Sequence, residues 1–454
     1  MMQTFSTREK LSRFFIILVP ILITQLGMFS MSFFDTMMSG QYSHIDLAGV
    51  AIGSSLWIPV FTGLTGILLS ITPIVSQNVG AQNDGDVSFS VIQGVYASLA
   101  LSIVVLIGGF LVLSPLLDSL ALSSETMTIA KTYLLALSFG VIPLFVTSVL
   151  RSFIDALGFT RVSMLITLSS LPINFIFNYV FIFGEFGFPE LGGVGAGIAS
   201  SITYWSMMFI SIWIIQTKKP FKKYQIFSSL FPISLSKWKE IFVIGLPIGL
   251  SIFFETSIFS AVTLFMDEYG AVVIAAHQAA LNFASFLYMI PLSISLALTI
   301  VVGFEVGAKR FSDARSYAIM GVVTALLFAG GFGLFLFFER DAVALIYTDS
   351  PEVATLAAQF LLYALFFQLS DAVQAPVQGA LRGYKDVNVT FMMTLISYWV
   401  IGLPLGYVLA TYTSFGPFGY WIGLIAGLTA GALTLSGRLH LVQRRKHLAH
   451  LRKA

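Results

Sequence analysis

Twelve apolar runs, each about as long as a bilayer is thick, constrain this chain more than any other feature. They cover about 14–37, 47–72, 91–117, 127–150, 161–183, 193–215, 240–265, 275–302, 315–338, 355–381, 389–410 and 418–441 of the 454 residues. A helix needs roughly 20 apolar residues to cross the hydrocarbon core, and a backbone in lipid must satisfy its own hydrogen bonds. The runs therefore predict an all-α polytopic membrane protein with twelve transmembrane helices. Composition points the same way: 57% of residues are hydrophobic and 10% charged, against about 25% charged in soluble domains. The spans leave no room for a soluble domain. Cysteine is absent, which excludes disulfides, thiolate metal sites and thiol nucleophiles.

Lys and Arg fix the orientation. Of the 24, 22 lie at the N-terminus, the C-terminus or in even-numbered loops, and only Lys131 and Arg340 lie on the other side. The positive-inside rule then places both termini in the cytoplasm, an arrangement that an odd number of spans would spoil. Residues 1–37 imitate a signal peptide, with Arg8, Lys10 and Arg13 ahead of an apolar run. The run is long, lacks a small-residue cleavage site and ends near Asp35, so it reads as the first retained span.

The chain repeats itself. Val79-Gly80-Ala81 recurs as Val306-Gly307-Ala308, offset by 227 residues, and Asp86 with Asp313 and Pro20 with Pro247 keep that offset. Leu150-Arg151 and Leu381-Arg382 are offset by 231. A repeat of six spans gives both halves one orientation, as in transporters whose halves are related by an axis along the membrane normal. The expected organisation is an N-terminal six-helix lobe over 1–215, a basic cytoplasmic linker over 216–239, a C-terminal lobe over 240–441 and a basic cytoplasmic tail over 442–454. The linker lysines, Lys218, Lys219, Lys222, Lys223, Lys237 and Lys239, read as solvated, topology-fixing charges rather than a lipid-regulatory site.

Three acids interrupt the apolar runs. A carboxylate at the centre of a spanning helix costs at least about 2.5–3.5 kcal/mol, which makes each a functional candidate facing a cavity or a partner. Asp35 lies late in span one; the alternative is that the span ends earlier and Asp35 marks the outer interface. Asn174 and Asn178 stand four apart on one face of span five, after Pro172, where they either bond a carboxyl group or join helices. Glu255 lies about fifteen residues into span seven among Phe253, Phe254 and Ile258. Asp371 lies deep in span ten, on a polar face that includes Gln368, Ser370 and Gln374, and Pro376 frees a backbone carbonyl near residue 372. No span interior holds Lys or Arg, so the acids are expected to have no fixed base.

A carboxyl group withdrawn from water exchanges protons near neutral pH, and carboxylates with hydroxyl and carbonyl oxygens suit Na⁺. Either is a coupling ion. No phosphate-binding G-x-x-x-x-G-K-[ST] loop is present to serve a nucleotide motor, so an ion gradient is the expected driving force.

With Asp35, Glu255 and Asp371 in spans one, seven and ten, and Gln278 and Tyr288 in span eight, the chain resembles the multidrug and toxic compound extrusion (MATE) family, most of all its NorM branch. The resemblance spans nearly the whole chain. It implies a V-shaped pair of six-helix bundles in the cell membrane, alternating between inward- and outward-open states and exporting cationic, amphipathic drugs and dyes in exchange for Na⁺ or H⁺. It also implies that Glu255 and Asp371 hold the coupling cation, Na⁺ included, beside the Tyr288 ring, and that Asp35, Asn174 and Asn178 bind the proton or the substrate. Some proton-coupled relatives carry a second acid in span five where this chain has Asn178, which favours Na⁺ coupling through the later half.

The residues agree on cargo. The 43 Phe, 16 Tyr and 15 Met offer adaptable apolar surface, and a few anionic groups among them would accept flat cations. Gln278, His277 and Gln374 are polar enough to line such a cavity, although a lone membrane histidine also serves as an interhelical hydrogen-bond partner. The expected partners are cationic small-molecule drugs and the lipid bilayer, without nucleic acid or cofactor, around a monomer. The alternative is a lipid-linked oligosaccharide flippase, whose cavity would be cationic to match a pyrophosphate. A channel would need a symmetric ring of ligands, and no H-E-x-x-H or G-x-S-x-G pattern supports an intramembrane enzyme.

Overall fold

The structure, a computed structural model, describes residues 1–452. Helices account for all regular structure among these residues. In chain order they are α1 (Thr7–Tyr42), α2 (His44–Leu68), α3 (Ile71–Gly80), α4 (Asp84–Asp118), α5 (Ser124–Ser138), α6 (Val141–Ala156), α7 (Thr160–Phe183), α8 (Gly193–Thr217), α9 (Lys219–Lys222), α10 (Leu235–Phe265), α11 (Ala271–Gly307), α12 (Phe311–Tyr347), α13 (Pro351–Gly383), α14 (Asn388–Leu395), α15 (Leu403–Tyr412) and α16 (Phe418–Leu451). Eleven segments are long and apolar enough to cross a membrane, and the pair α5 and α6, bent by 50°, makes a twelfth when taken as one span. The second and eleventh crossings are interrupted, the latter by a π-helical stretch over Ile396–Gly402.

The chain forms two compact units that do not follow chain order. One is Val19–Gly249; the other combines Met1–Leu18 with the chain from Leu250 onward. The exchange points fall beside Pro20 and Pro247, the repeated prolines.

The repeat is visible in local geometry. After α3 and α11 the backbone turns through left-handed residues at Gln82 (φ 58°) and Lys309 (φ 60°), again 227 apart. Each turn closes with the same hydrogen bonds, Gln82 N to Val79 O and Lys309 N to Val306 O, then Asn83 N to Asn78 O and Arg310 N to Glu305 O. Each turn aims an aspartate at a lysine that precedes a span of the other half. Lys237 Nζ lies 3.2 Å from Asp86 in the first unit, and Lys10 Nζ lies 3.0 Å from Asp313 in the second. These lysines are themselves 227 apart.

The basic linker is strapped to α4 rather than freely solvated. Ser88 donates to Tyr224 O, Tyr96 to Phe231 O and Gln93 to Pro232 O, while Gln93 also accepts from Ser234 N. Lys237 is only 8% exposed and pairs with Glu240 as well as Asp86. Lys223, by contrast, meets Asp84 in the open.

Inside each unit the helices close on small residues, as expected where lipid supplies no hydrophobic drive for association. In the second unit, a Cβ on Gly427 would stand 2.7 Å from Ser397 O, so only glycine lets α16 reach the π-helical stretch. Around this contact Trp421, Phe360, Leu424 and Leu428 form a buried core. In the first unit, Asp46 of α2 accepts from Gly193 N at 2.7 Å and so caps α8. Gly192 precedes the cap with φ +61°, and a Cβ there would meet the Tyr42 ring at 2.6 Å.

Candidate functional site

The acids singled out in the sequence lie in two clusters, one in each unit. In the first unit Asp35 is 8% exposed and accepts three hydrogen bonds. Asn174 and Asn178 donate to Oδ1 at 3.1 and 2.8 Å, and Ser200 donates to Oδ2 at 2.6 Å. Asn178 also donates to Asn174 Oδ1 at 3.1 Å. The i, i+4 spacing on α7 puts both amides on one face toward α1, while α8 brings Ser200 from the other side. Asp35 is thus buried and held by three protein donors. The Asn178 Oδ1 atom is buried without a donor among the described residues. Tyr133 and Tyr204 complete the surroundings electrostatically. A Cβ on Gly197 would stand 2.7 Å from the Tyr133 carbonyl, so this glycine seats the ring.

In the second unit Glu255 of α10 is half-buried and Asp371 of α13 is 5% exposed. Gln378 Nε2 donates to Glu255 Oε1 at 2.7 Å. Asp371 accepts no hydrogen bond among the described residues, and Glu255 acts on it as a like charge. Both acids act in this way on Tyr288 of α11 and on Tyr398, which lies in the π-helical stretch. Gln374 donates to Tyr398 OH at 3.2 Å, and its own Oε1 is buried without a donor among the described residues. Gly431 makes room for that amide, since a Cβ there would meet Oε1 at 2.7 Å. The cluster thus combines two carboxylates with two phenols on which both charges act, and an amide bonded to one of those phenols.

The expectation that no base shares this interior needs correction. Arg382, counted in the sequence as lying just past span ten, is the penultimate residue of α13 and only 5% exposed. It interacts electrostatically with Glu255 and Tyr288. The apolar run ends at 381, but the helix continues inside the protein, and hydropathy alone does not show that.

His277 and Gln278 are set apart. His277 is fully buried; the Trp421 indole N–H donates to Nδ1 at 3.0 Å, and Nε2 lies 3.0 Å from Thr263 Oγ1. Because the indole is only a donor, Nδ1 must be an acceptor and the ring neutral, with its proton on Nε2. That arrangement joins α10, α11 and α16. Gln278 is exposed and donates to the same threonine at 3.3 Å.

The sequence reading overlooked Ser200, Tyr398, Gln378 and Arg382. For the last two a signal exists: Asp371, Gln374, Gln378 and Arg382 follow helical spacing along one face of α13. Ser200 sits in a run of small residues and gives no such pattern.

Two repeated helical halves, with carboxylates set within the spans, buried or half-buried, and held by hydrogen bonds or acting on nearby phenols, define a polytopic membrane transporter. A family model described as MatE matches twice, over residues 20–180 and 247–408, with starts 227 apart like the repeat itself. The chain belongs to the MATE family. It is 56% identical over 445 residues to a probable multidrug resistance protein NorM of Halalkalibacterium halodurans, covering 98% of this chain and 97% of that one. It is 57% identical over 449 residues to the protein of the same description in Bacillus subtilis, covering 98% of each. Among solved structures, a Vibrio cholerae MATE transporter in its bent form superposes with a TM-score of 0.86 at 18% identity, over 97% of this chain and 99% of that one. A eukaryotic MATE transporter gives 0.84 at 20% identity, over 98% of both chains.

Proposed function

We propose that this protein is a multidrug efflux transporter of the cell membrane. It exports cationic, amphipathic compounds by antiport against Na⁺ or H⁺, alternating access through its two lobes with both termini cytoplasmic. The observation that carries the reading is the pair Glu255, half-buried, and Asp371, buried, two carboxylates within spans whose charges both act on Tyr288 and Tyr398. Such a site attracts a small monovalent cation and, in its absence, a cationic cargo. Asp35, cradled by Asn174, Asn178 and Ser200, serves as the proton or cargo site of the other unit. The multidrug resistance descriptions of relatives more than half identical along the whole chain support the cargo class.

The test is transport in liposomes. Na⁺ and pH gradients are imposed separately and ethidium movement is followed. Glu255→Gln and Asp371→Asn are expected to abolish gradient-driven export while the protein stays folded. Unchanged export in both variants would refute the site. Cations are expected to compete better than anions of equal size; equal competition by anions would favour a flippase of the same architecture.

A further inference from the structure

Comparison of the two repeats exposes a base out of place. Arg151 and Arg382 end equivalent Leu-Arg pairs, and each is followed four residues on by an aspartate, Asp155 and Asp386, at the same offset of 231. Arg151 takes its acid: Nε lies 3.5 Å from Asp155 Oδ2, and Ser163 donates to Oδ1 at 2.6 Å. Asp386 is held instead by Arg438 of α16, through two N–H donors at 2.7 and 2.9 Å. A bidentate pair of this kind occupies the carboxylate. Arg382 is thereby deprived of the partner its counterpart has. It is 5% exposed, and its guanidinium makes no hydrogen bond and no ion pair within 4.0 Å among the described residues.

A buried base left without a direct partner is strongly unfavourable, so its charge must be balanced by something nearby. Gln378 lies one helical turn back on the same face and donates to Glu255 at 2.7 Å. The same face of α13 thus carries Arg382 and the amide that holds Glu255, and Glu255 is the carboxylate whose charge acts on the guanidinium.

We propose that Arg382 is a positioning residue of the acid cluster, a tethered cation that shares Glu255 with the mobile one, so that the cluster holds a single monovalent cation at a time. The inference rests on the coupling role proposed for Glu255 and Asp371. With both acids ionised, these two and Arg382 sum to minus one. One Na⁺ or one cationic cargo cancels that charge, and the two together exceed it, which makes exchange obligatory. When the mobile cation leaves, the Arg382 side chain closes on Glu255 and keeps the emptied site from recapturing it.

The experiment is titration of the purified full-length protein with Na⁺, and separately with tetraphenylphosphonium, by calorimetry. It uses wild type, Arg382→Gln, Arg382→Lys, Glu255→Gln, Asp371→Asn and the double variant Glu255→Gln/Arg382→Gln, with melting temperatures recorded. Arg382→Gln is expected to bind two cations instead of one, the first about tenfold or more tighter, as an added unbalanced charge requires. Its export is expected to slow at saturating cargo because release is impeded. Arg382→Lys and the double variant are expected to keep one cation. Wild-type stoichiometry and affinity in folded Arg382→Gln would overturn the proposal and leave the coupling site standing; if Arg382→Gln does not fold, two cations bound by Arg382→Lys or by the double variant would overturn it. Wild-type binding that neither Glu255→Gln nor Asp371→Asn reduces, or no binding at all, would overturn both.

Discussion

Gln378 donates to the Glu255 carboxylate at 2.7 Å, joining α13 to α10 at the acid cluster. It is the only hydrogen bond reaching that carboxylate among the described residues, so it fixes where Glu255 points. A hydrogen bond to a charged group contributes about 1.5–3 kcal/mol, or roughly ten- to a hundredfold in binding. Gln378→Leu is expected to raise the half-saturating concentration of the coupling cation by about that factor without lowering the melting temperature markedly. Transport rate against cation concentration checks this, and an unchanged curve would show that the amide does not orient the acid.

Asp35 is expected to respond in graded steps. Ser200→Ala removes one of three donors and leaves the two amides, so export falls partially. Asp35→Asn removes the charge that all three were placed to bind, and drug export is expected to cease while the protein remains folded. Asn178→Asp would set a second carboxylate against the first and force the pair to share a proton. Its export is expected to shift toward dependence on the pH gradient, which separately imposed Na⁺ and pH gradients would reveal.

The repeated Lys–Asp pairs differ from the surface pair beside them. Lys237 is buried while Asp86 and Glu240 are about a third exposed, so losing one acid costs less than the roughly 3–5 kcal/mol of a fully buried pair but more than a surface pair does. Lys223 and Asp84 are more than half exposed, where such pairs contribute about 0–1 kcal/mol. Asp86→Ala is expected to lower the melting temperature clearly and Lys223→Ala hardly at all. Equal melting temperatures would mean that Lys237 finds water instead.

Glycine contacts set a further contrast. Gly427→Val places atoms against Ser397 O, and overpacking of this sort costs about 1–3 kcal/mol. At Gly108 an added methyl group would meet no atom within 4 Å, so alanine is expected there without loss. Thermal unfolding in detergent distinguishes them, and equal stability of the two variants would show that α16 can retreat from the π-helical stretch.

The number of crossings, their helical character, the repeat and the identity of the three intramembrane acids follow from the sequence, because lipid permits few backbone solutions and penalises charge strongly. The spacing of the span-five amides places them on one face but leaves open whether they bond a carboxyl group or join helices; the structure sets both against Asp35. What surrounds each acid was decided only by tertiary structure. Ser200 reaches Asp35 from another helix, and Arg438 takes Asp386 so that Arg382 is left beside Glu255. Those contacts join residues far apart in the chain, and no periodicity within one helix records which side of a neighbour it will meet. The same reason explains the two compact units: the ends of α1 and α10 cross to the other half of the sequence, a consequence of packing and of the Lys10–Asp313 and Lys237–Asp86 pairs that local pattern does not encode.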